Sequence, residues 1–337
     1  MPYSSPFEPE LRRRGAVYGV VGEVNVPLHF GDPARELQVL RTDFAFIDLP
    51  WRGMIEVTGR DRVRFLHGMC TNDIKGLHPG QGCMAAIVNR QGKMVAEMIV
   101  GASLDRLYIE ADRPLLQTII DALSKFLVAD DVKLEISPTV ACGNFGRTAV
   151  DLSSLPPFHF IFPSTEDLII SKDPRLGVPG VVSWRVPKTD ETLKASQLAG
   201  FEAYEALRIE NGFPRWGADM GPDLLPMEAG LEPIAISYTK GCYIGQEVIQ
   251  RVKTYSEPPR MLVQLALSGA EGLAFEGRPV AGARVLSGGA EIGTVTSVGN
   301  GLALAVVRKE HKTPGTRVEI EPGLPATVRA LPWHDAA

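Results

Sequence analysis

The sequence predicts an α+β protein of more than one unit that ends in antiparallel β structure. Three observations carry this. Residues 50–138 set apolar strands and amphipathic helices in an αββ…αβ order, which suits one compact α+β unit. FHFIF, DLIIS and VVSWRV supply strands of a second α+β unit, followed by a helical stretch. After the proline hinge SEPPR (256–260), short strands alternate with glycine turns, the pattern of a small β-barrel or sandwich.

Taken in order, residues 1–30 are rich in Pro, Arg and Gly and are expected to lie along the surface. GDPARELQVLRTDFAFIDL (31–49) reads as a short helix and then a strand. MIEVTG (54–59) is a strand stopped by Gly59. In DRVRFLHGMC (61–70), Val63, Leu66, Met69 and Cys70 recur at helical spacing. TNDIKGLHPGQG is a loop by its Asn, Asp, Gly and Pro content. CMAAIV (83–88) and KMVAEMIVG (93–101) flank the polar turn NRQG and form a hairpin signal. RLYIE (106–110) is a strand. DRPLLQTIIDALSKFLV (112–128) is a helix with Pro114 in its first turn and Leu115, Ile119, Leu123 and Phe126 on one face. DVKLEIS (131–137) closes the unit. ETLKASQLAGFEAYEALRIENGFP is helical with a break near Gly200, and Asn211-Gly212 with Pro214 beyond marks a left-handed cap. RMLVQLAL, ARVLSGGAEIGTVTSVG, LALAVV, RVEI and ATVRAL are the closing strands.

A chain of 337 residues exceeds one simple core and predicts two or three domains. The net charge of −5 argues against a protein that coats nucleic acid, although a local basic patch stays open. MPYSSPFEPELRRR has no apolar h-region, and no run approaches the ~20 apolar residues of a membrane span, so a cytoplasmic protein is expected. The cysteines at 70, 83, 142 and 242 form no CxxC and no zinc-spaced cluster, which leaves a built-in metal centre or a disulfide framework without support. No GxxxxGK[ST], strand-borne GxGxxG, GxSxG or HExxH is present, so nucleotide hydrolases, dinucleotide enzymes, α/β-hydrolases and zincins lose their usual marks.

The stretch KGCYIGQE (240–247) raises the first chemical question. If a helix starts at Gly245 or Gln246, Cys242 lies just before its N-terminus, and Lys240 adds positive charge; both favour a thiolate. A buried structural cysteine is the plainer alternative. In RIENGFPRWG (208–217), Glu210 falls in the last turn of its helix, against the dipole, where it suits a ligand with two adjacent N–H donors or an ion pair with Arg208 or Arg215. Glu228 in DLLPMEAGLEP lines a cleft or caps a helix. Asn72 and Asp73 face a ligand or form a turn. Trp51 and Trp216 stack on a flat ligand or fill core. Arg12, Arg13 and Arg14 make a solvated face or a phosphate site.

These residues together resemble a family. KGCYIGQE is similar to the K-G-C-[FY]-x-G-Q-E signature of YgfZ-type folate-binding proteins, relatives of the glycine-cleavage aminomethyltransferase, or T-protein. RIENGFPRWGADM with LPMEAGL, FLHGMCTNDI, IGTVTSVG and LALAVVR resemble further segments of that superfamily, in matching order from about residue 40 to 320. The resemblance implies a three-domain, ring-like α+β architecture: a discontinuous folate-binding domain (1–49 and 139–255), an inserted α+β domain (50–138) and a C-terminal antiparallel β-barrel (256–332). It implies tetrahydrofolate or a derivative in a central channel, held by Glu210, Arg208, Asn72, Asp73, Glu228 and Trp216, and Cys242 helped by Lys240 in redox or transient cluster chemistry. It also implies support of iron–sulfur cluster assembly or repair through client or assembly proteins, an indirect link to tRNA modification, and no direct contact with nucleic acid or membrane.

One departure bears on the branch. T-proteins resemble G-G-x-x-D-D-L at the hairpin, whereas this chain has GKMVAEM (92–98), with Ala96 and Glu97 at the acidic pair. Glu97 is one methylene longer than Asp, and a misplacement of ~1 Å can cost ~100-fold in rate. A non-enzymatic role is therefore favoured, with aminomethyl or other one-carbon transfer as the alternative.

Overall fold

The computed structural model describes residues 1–147, 155–163, 168–186, 197–268 and 279–335. The helical stretch that the sequence predicts from Glu191 begins outside these residues, and within them helix forms only after Gly200.

The chain opens with α1 (Glu8–Arg13) and a two-stranded ribbon, β1 (Val17–Val21) and β2 (Val24–His29). This corrects the expectation of a surface-hugging segment: Phe7, Leu11, Val24 and Val26 are buried. Arg12 and Arg13 pair with Glu8 and Glu10, so they form a solvated face. Next come α2 (Pro33–Thr42), whose N-cap Asp32 accepts from Ala34 N and Arg35 N, and β3 (Phe44–Asp48).

The next elements are β4 (Arg52–Thr58), α3 (Arg62–Met69), β5 (Gly82–Val88), β6 (Met94–Ala102), β7 (Leu107–Asp112), α4 (Leu115–Ser124) and β8 (Lys133–Ile136). Their strands form one sheet in the order β5-β6-β7-β4-β8. Its packed face, with Leu66, Met98, Ile109 and Ile119, forms a core of its own. Helix α4 stops at Ser124, so Phe126 lies past its end and is exposed, unlike Leu115, Ile119 and Leu123.

After β9 (Val140–Gly146), β10 (Phe160–Ile161), β11 (Leu168–Lys172) and β12 (Gly180–Arg185), a second sheet runs β10-β11-β12-β9-β3. Strand β3 thus pairs with β9 across the whole of the first sheet's sequence. Then follow α5 (Phe201–Asn211), α6 (Glu232–Ala235) and α7 (Gln246–Tyr255). Gly212 ends α5 at φ 75°, the left-handed cap that its sequence predicts.

The last six strands close a barrel in the order β13-β16-β15-β14-β17-β18. They are β13 (Arg260–Leu267), β14 (Arg284–Ser287), β15 (Ala290–Gly299), β16 (Leu302–Arg308), β17 (Arg317–Ile320) and β18 (Leu324–Arg329). The barrel docks on α5: Gln264 Nε2 donates to the Ile209 and Glu210 carbonyls at 2.8 and 3.0 Å, capping the helix end. The loop before α6 reaches the first sheet through Met94 N–H to the Leu224 carbonyl, and the barrel through Arg260 to the Asp223 carbonyl. The three units therefore close on one another around a shared interior.

Candidate functional site

Strand alternation decides which hairpin residue faces that interior. Ala96 is buried in the core under the first sheet. Glu97 points the other way, into a small cavity between this sheet and α5. The same face carries Arg52 on β4 and Glu110 and Asp112 on β7. Arg52 donates to Asp112 at 2.6 Å and Glu110 at 3.0 Å, and lies 3.5 Å from Glu97. Arg175 adds a second guanidinium, 2.7 Å from both Glu110 and Asp173. Two cations thus face four buried carboxyl groups. Burial pushes the Glu97 carboxyl above its usual range, and Arg52 opposes that shift.

Trp51, Tyr204, Phe213 and Trp216 form the aromatic part of the wall. The enclosed volume is about 20 Å³. Arg215 lines both this cavity and an open groove of about 600 Å³ between α5 and strand β15.

Arg208, one helical turn after Tyr204, is 1% exposed and ties units together rather than presenting free donors. It donates to Asp219 at 2.7 Å, the Phe213 carbonyl at 2.5 Å and Ser297 Oγ of the barrel at 3.0 Å. It also makes a two-pronged pair with Glu205. Burial would raise the Glu205 carboxyl, but Arg208 and Arg215 outweigh it and hold it below the usual range.

Glu210 is placed differently from the expectation. Two residues on from Arg208, it sits about 200° around the helix, so the two cannot share a wall. It makes a two-pronged ion pair with Arg41 of α2, with Asn300 at 3.5 Å, in place of a pair with Arg208 or Arg215. Glu228 is buried as well: it accepts from Leu225 N at 2.8 Å and pairs with Arg260 at 3.2 Å, locking its loop to the barrel.

A second neighbourhood surrounds Cys242. Gly245 caps α7 at φ 80°, so Cys242 lies just ahead of a helix N-terminus, as its motif suggests. Of the four cysteines it is the exposed one. Burial pushes the Cys70 thiol up to about 11 and raises Cys83 and Cys142 further.

Lys240 does not serve Cys242 in the way its spacing suggests. Its ammonium donates to the carbonyls of His67, Cys70 (2.6 Å) and Asn72 (2.9 Å), so it caps the C-terminus of α3. Desolvation lowers its pKa, and the thiols it acts on most are Cys70 and Cys83. Asn72 is also structural: Nδ2 donates to the Met84 and Ile234 carbonyls at 2.8 Å each. Asp73 is half-exposed, accepts from Gly76 N and faces His67 Nδ1 at 3.2 Å.

Sequence reasoning missed Arg52, Asp112, Arg175, Tyr204 and His67. The first four meet only through tertiary pairing and carry no local motif. His67 does stand in the FLHGMCTNDI segment, next to Asn72 and Asp73. Among the described residues no helix is long and apolar enough to cross a membrane.

A three-unit α+β chain with a buried charged cavity and a C-terminal barrel defines the T-protein class. The comparisons agree. Residues 7–135 match the family model described as GCVT N-terminal domain, and residues 260–335 match the CAF17 C-terminal beta-barrel domain. An aminomethyltransferase of Streptomyces coelicolor is 26% identical, with 92% of this chain and 91% of that protein covered. The tRNA-modifying protein YgfZ of Yersinia pseudotuberculosis is 30% identical, with 63% of this chain and 68% of that protein covered. The crystal structure of glycine cleavage system aminomethyltransferase T from Bartonella henselae superposes at a TM-score of 0.90, covering 99% and 98% of the two chains at 22% identity. The chain belongs to the YgfZ-type branch of the glycine-cleavage T-protein superfamily.

Proposed function

We propose that this is a cytoplasmic tetrahydrofolate-binding protein that supports iron–sulfur cluster assembly or repair, and through it tRNA modification, with Cys242 as its working thiol. The observation that carries this reading is the contrast between two side chains. Glu97, the one carboxylate at the acidic-pair positions that faces the interior, is tied into a buried ion network beside Arg52. Cys242 stands exposed on a turn ahead of a helix. Transfer chemistry needs the first group available; thiol chemistry needs only the second.

The donor set fits a folate. Trp51 and Trp216 offer flat apolar faces, and adjacent ring N–H groups would compete with Arg52 for the Asp112 carboxylate. A cavity of about 20 Å³ is smaller than a pterin, so binding requires side-chain movement. Arg215 and Trp216 are the half-buried members of that wall, and the 600 Å³ groove beyond Arg215 is of ligand size.

The test is calorimetric titration with tetrahydrofolate, together with iron–sulfur enzyme activity in cells carrying Cys242→Ala. Trp216→Ala should weaken binding and Glu210→Ala should leave it nearly unchanged. Cys242→Ala should lower the cellular activity. Absence of binding to the folded wild type removes folate from the account, and unchanged cellular activity removes the thiol. Turnover of a lipoyl-bound aminomethyl donor that Glu97→Ala abolishes would establish the transferase instead.

A further inference from the structure

We propose that Arg113 is a positioning residue for the ligand cavity: it holds the three successive carbonyls of Pro50, Trp51 and Arg52, sets the wall from which Trp51 and Arg52 enter, and is itself kept in place by Tyr3. The inference rests on the reading above only in taking this cavity as the ligand site. The placement of Arg52 against Glu97 can be measured without any ligand.

The geometry starts from the turn that leads from β3 into β4. Arg113 directly follows β7, and its backbone N–H donates to the Trp51 carbonyl at 2.6 Å. Its Nε donates to the Pro50 carbonyl and its Nη2 to the Arg52 carbonyl, each at 3.0 Å. One residue thus supplies donors to three carbonyls in a row. Two of these carbonyls belong to residues that line the cavity. Both wall side chains have fixed partners inside it. The Trp51 ring meets Phe201 and Tyr204 edge-on at 5.0 and 5.1 Å, and Arg52 meets Asp112 and Glu110 at 2.6 and 3.0 Å. The next residue leaves β4 no slack, since a Cβ on Gly53 would lie 2.5 Å from Leu116 Cδ1 of α4. A tilt of the turn is therefore passed on to Trp51 and Arg52.

The guanidinium is held from outside the cavity. It lies over the Tyr3 ring, 3.8 Å from its centroid. Tyr3 is fixed in turn to the β1–β2 ribbon: its N–H donates to the Glu23 carbonyl at 2.9 Å, and its carbonyl accepts from Asn25 N at 2.8 Å. Among the described residues no carboxylate forms an ion pair with Arg113. Arginine suits the place because its planar fork spans two carbonyls while its face stacks on a ring; lysine is a point charge without that fork.

What Arg113 sets is the approach of Arg52 to Glu97, 3.5 Å. Arg52 and Arg175 favour the charged form of Glu97, whereas burial, Asp112 and Glu110 oppose it. Loosening Arg52 removes part of the favourable pull, so Glu97 should keep its proton to higher pH.

The experiment titrates Glu97 in the ligand-free full chain, through the carboxyl infrared band that Glu97→Gln removes. Arg113→Lys should move this titration to higher pH. It should also weaken tetrahydrofolate binding roughly tenfold, the worth of about one hydrogen bond. Tyr3→Ala should act less strongly in the same direction. Tyr3→Phe keeps a ring over the guanidinium and should restore the wild-type titration. An unshifted Glu97 titration in folded Arg113→Lys overturns the proposal. Weaker binding without that shift overturns it too, since it reports general loosening. Should Arg113→Lys fail to fold by circular dichroism, Tyr3→Ala beside Tyr3→Phe decides, and equal shifts or none overturn the proposal. A wild type that binds no tetrahydrofolate, with a Glu97 titration that still moves in Arg113→Lys, removes the folate reading and leaves Arg113 as the residue that sets this wall.

Discussion

Lys240 shows how a motif residue can be structural at the scale of one side chain. Three backbone carbonyls at the end of α3 converge on its ammonium. We predict that Lys240→Met lowers unfolding stability by about 2–3 kcal/mol in urea titration, the range for losing charge-assisted hydrogen bonds to buried acceptors. Asp48 makes the opposite case. It is 2% exposed, its Oδ1 accepts from Ser5 Oγ at 3.0 Å, and among the described residues Oδ2 has no partner. Burial pushes its carboxyl up to about 7, against the Ser5 and Leu49 hydrogen bonds. A folded-state pKa above the unfolded value stabilises the protein fully below about pH 4, and that contribution is lost as pH rises through 7. Asp48→Asn, which keeps an acceptor for Ser5, should therefore be more stable than wild type at pH 8 and show a flatter decline between pH 4 and 7. Urea midpoints measured across that range check it; a slope unchanged by the substitution would place the titration elsewhere.

At the scale of the element, Gly245 joins the thiol turn to α7. Its φ is +80°, and a Cβ there would lie 2.3 Å from the Asn89 carbonyl oxygen on the β5–β6 turn. Strain and clash act together, so Gly245→Ala should cost at least about 1–3 kcal/mol and raise Cys242 alkylation by loosening the turn. Thermal melts beside the alkylation assay would show both or neither. Elements of this kind were largely legible in the sequence. The β5–β6 hairpin, the Asn211-Gly212 cap and the glycine-punctuated barrel strands each carry a local signal, because backbone geometry there demands particular residues. The β1–β2 ribbon was not legible. Its burial alternates weakly, and Phe7 and Leu11 are buried by contacts with Phe46, Val140 and Cys142 far along the chain. The sequence pattern extends α4 too far for a related reason: Phe126 keeps helical spacing but lies beyond the last helical residue.

At the scale of the whole molecule, the candidate site is legible only in part. KGCYIGQE marks its turn, and the structure leaves Cys242 exposed there. Spacing alone could not separate Arg208 from Glu210, which a helix puts on different flanks, nor assemble Arg52, Glu97, Asp112 and Arg175 from four distant segments. Arg208 also governs how the units hold together. It joins α5 to Asp219, itself 1% exposed, and to Ser297 of the barrel. Arg208→Ala leaves Glu205 with Arg215 as its remaining cation and strands Asp219, which keeps only the Arg215 backbone N–H and the Thr296 hydroxyl. Breaking such a pair costs about 3–5 kcal/mol. Asp219 Oδ1 also accepts from Thr296 of the barrel at 2.6 Å, so the loss falls on the α5–barrel junction rather than on either sheet. We expect Arg208→Ala to split the melt into two transitions, the barrel uncoupling first, with hydrogen exchange rising in β15 before β6. Adding Asp219→Asn should restore part of the loss by removing one stranded charge. A single cooperative transition in Arg208→Ala, lowered but unsplit, would mean that Gln264 and the apolar contacts of α5 hold the barrel without the guanidinium.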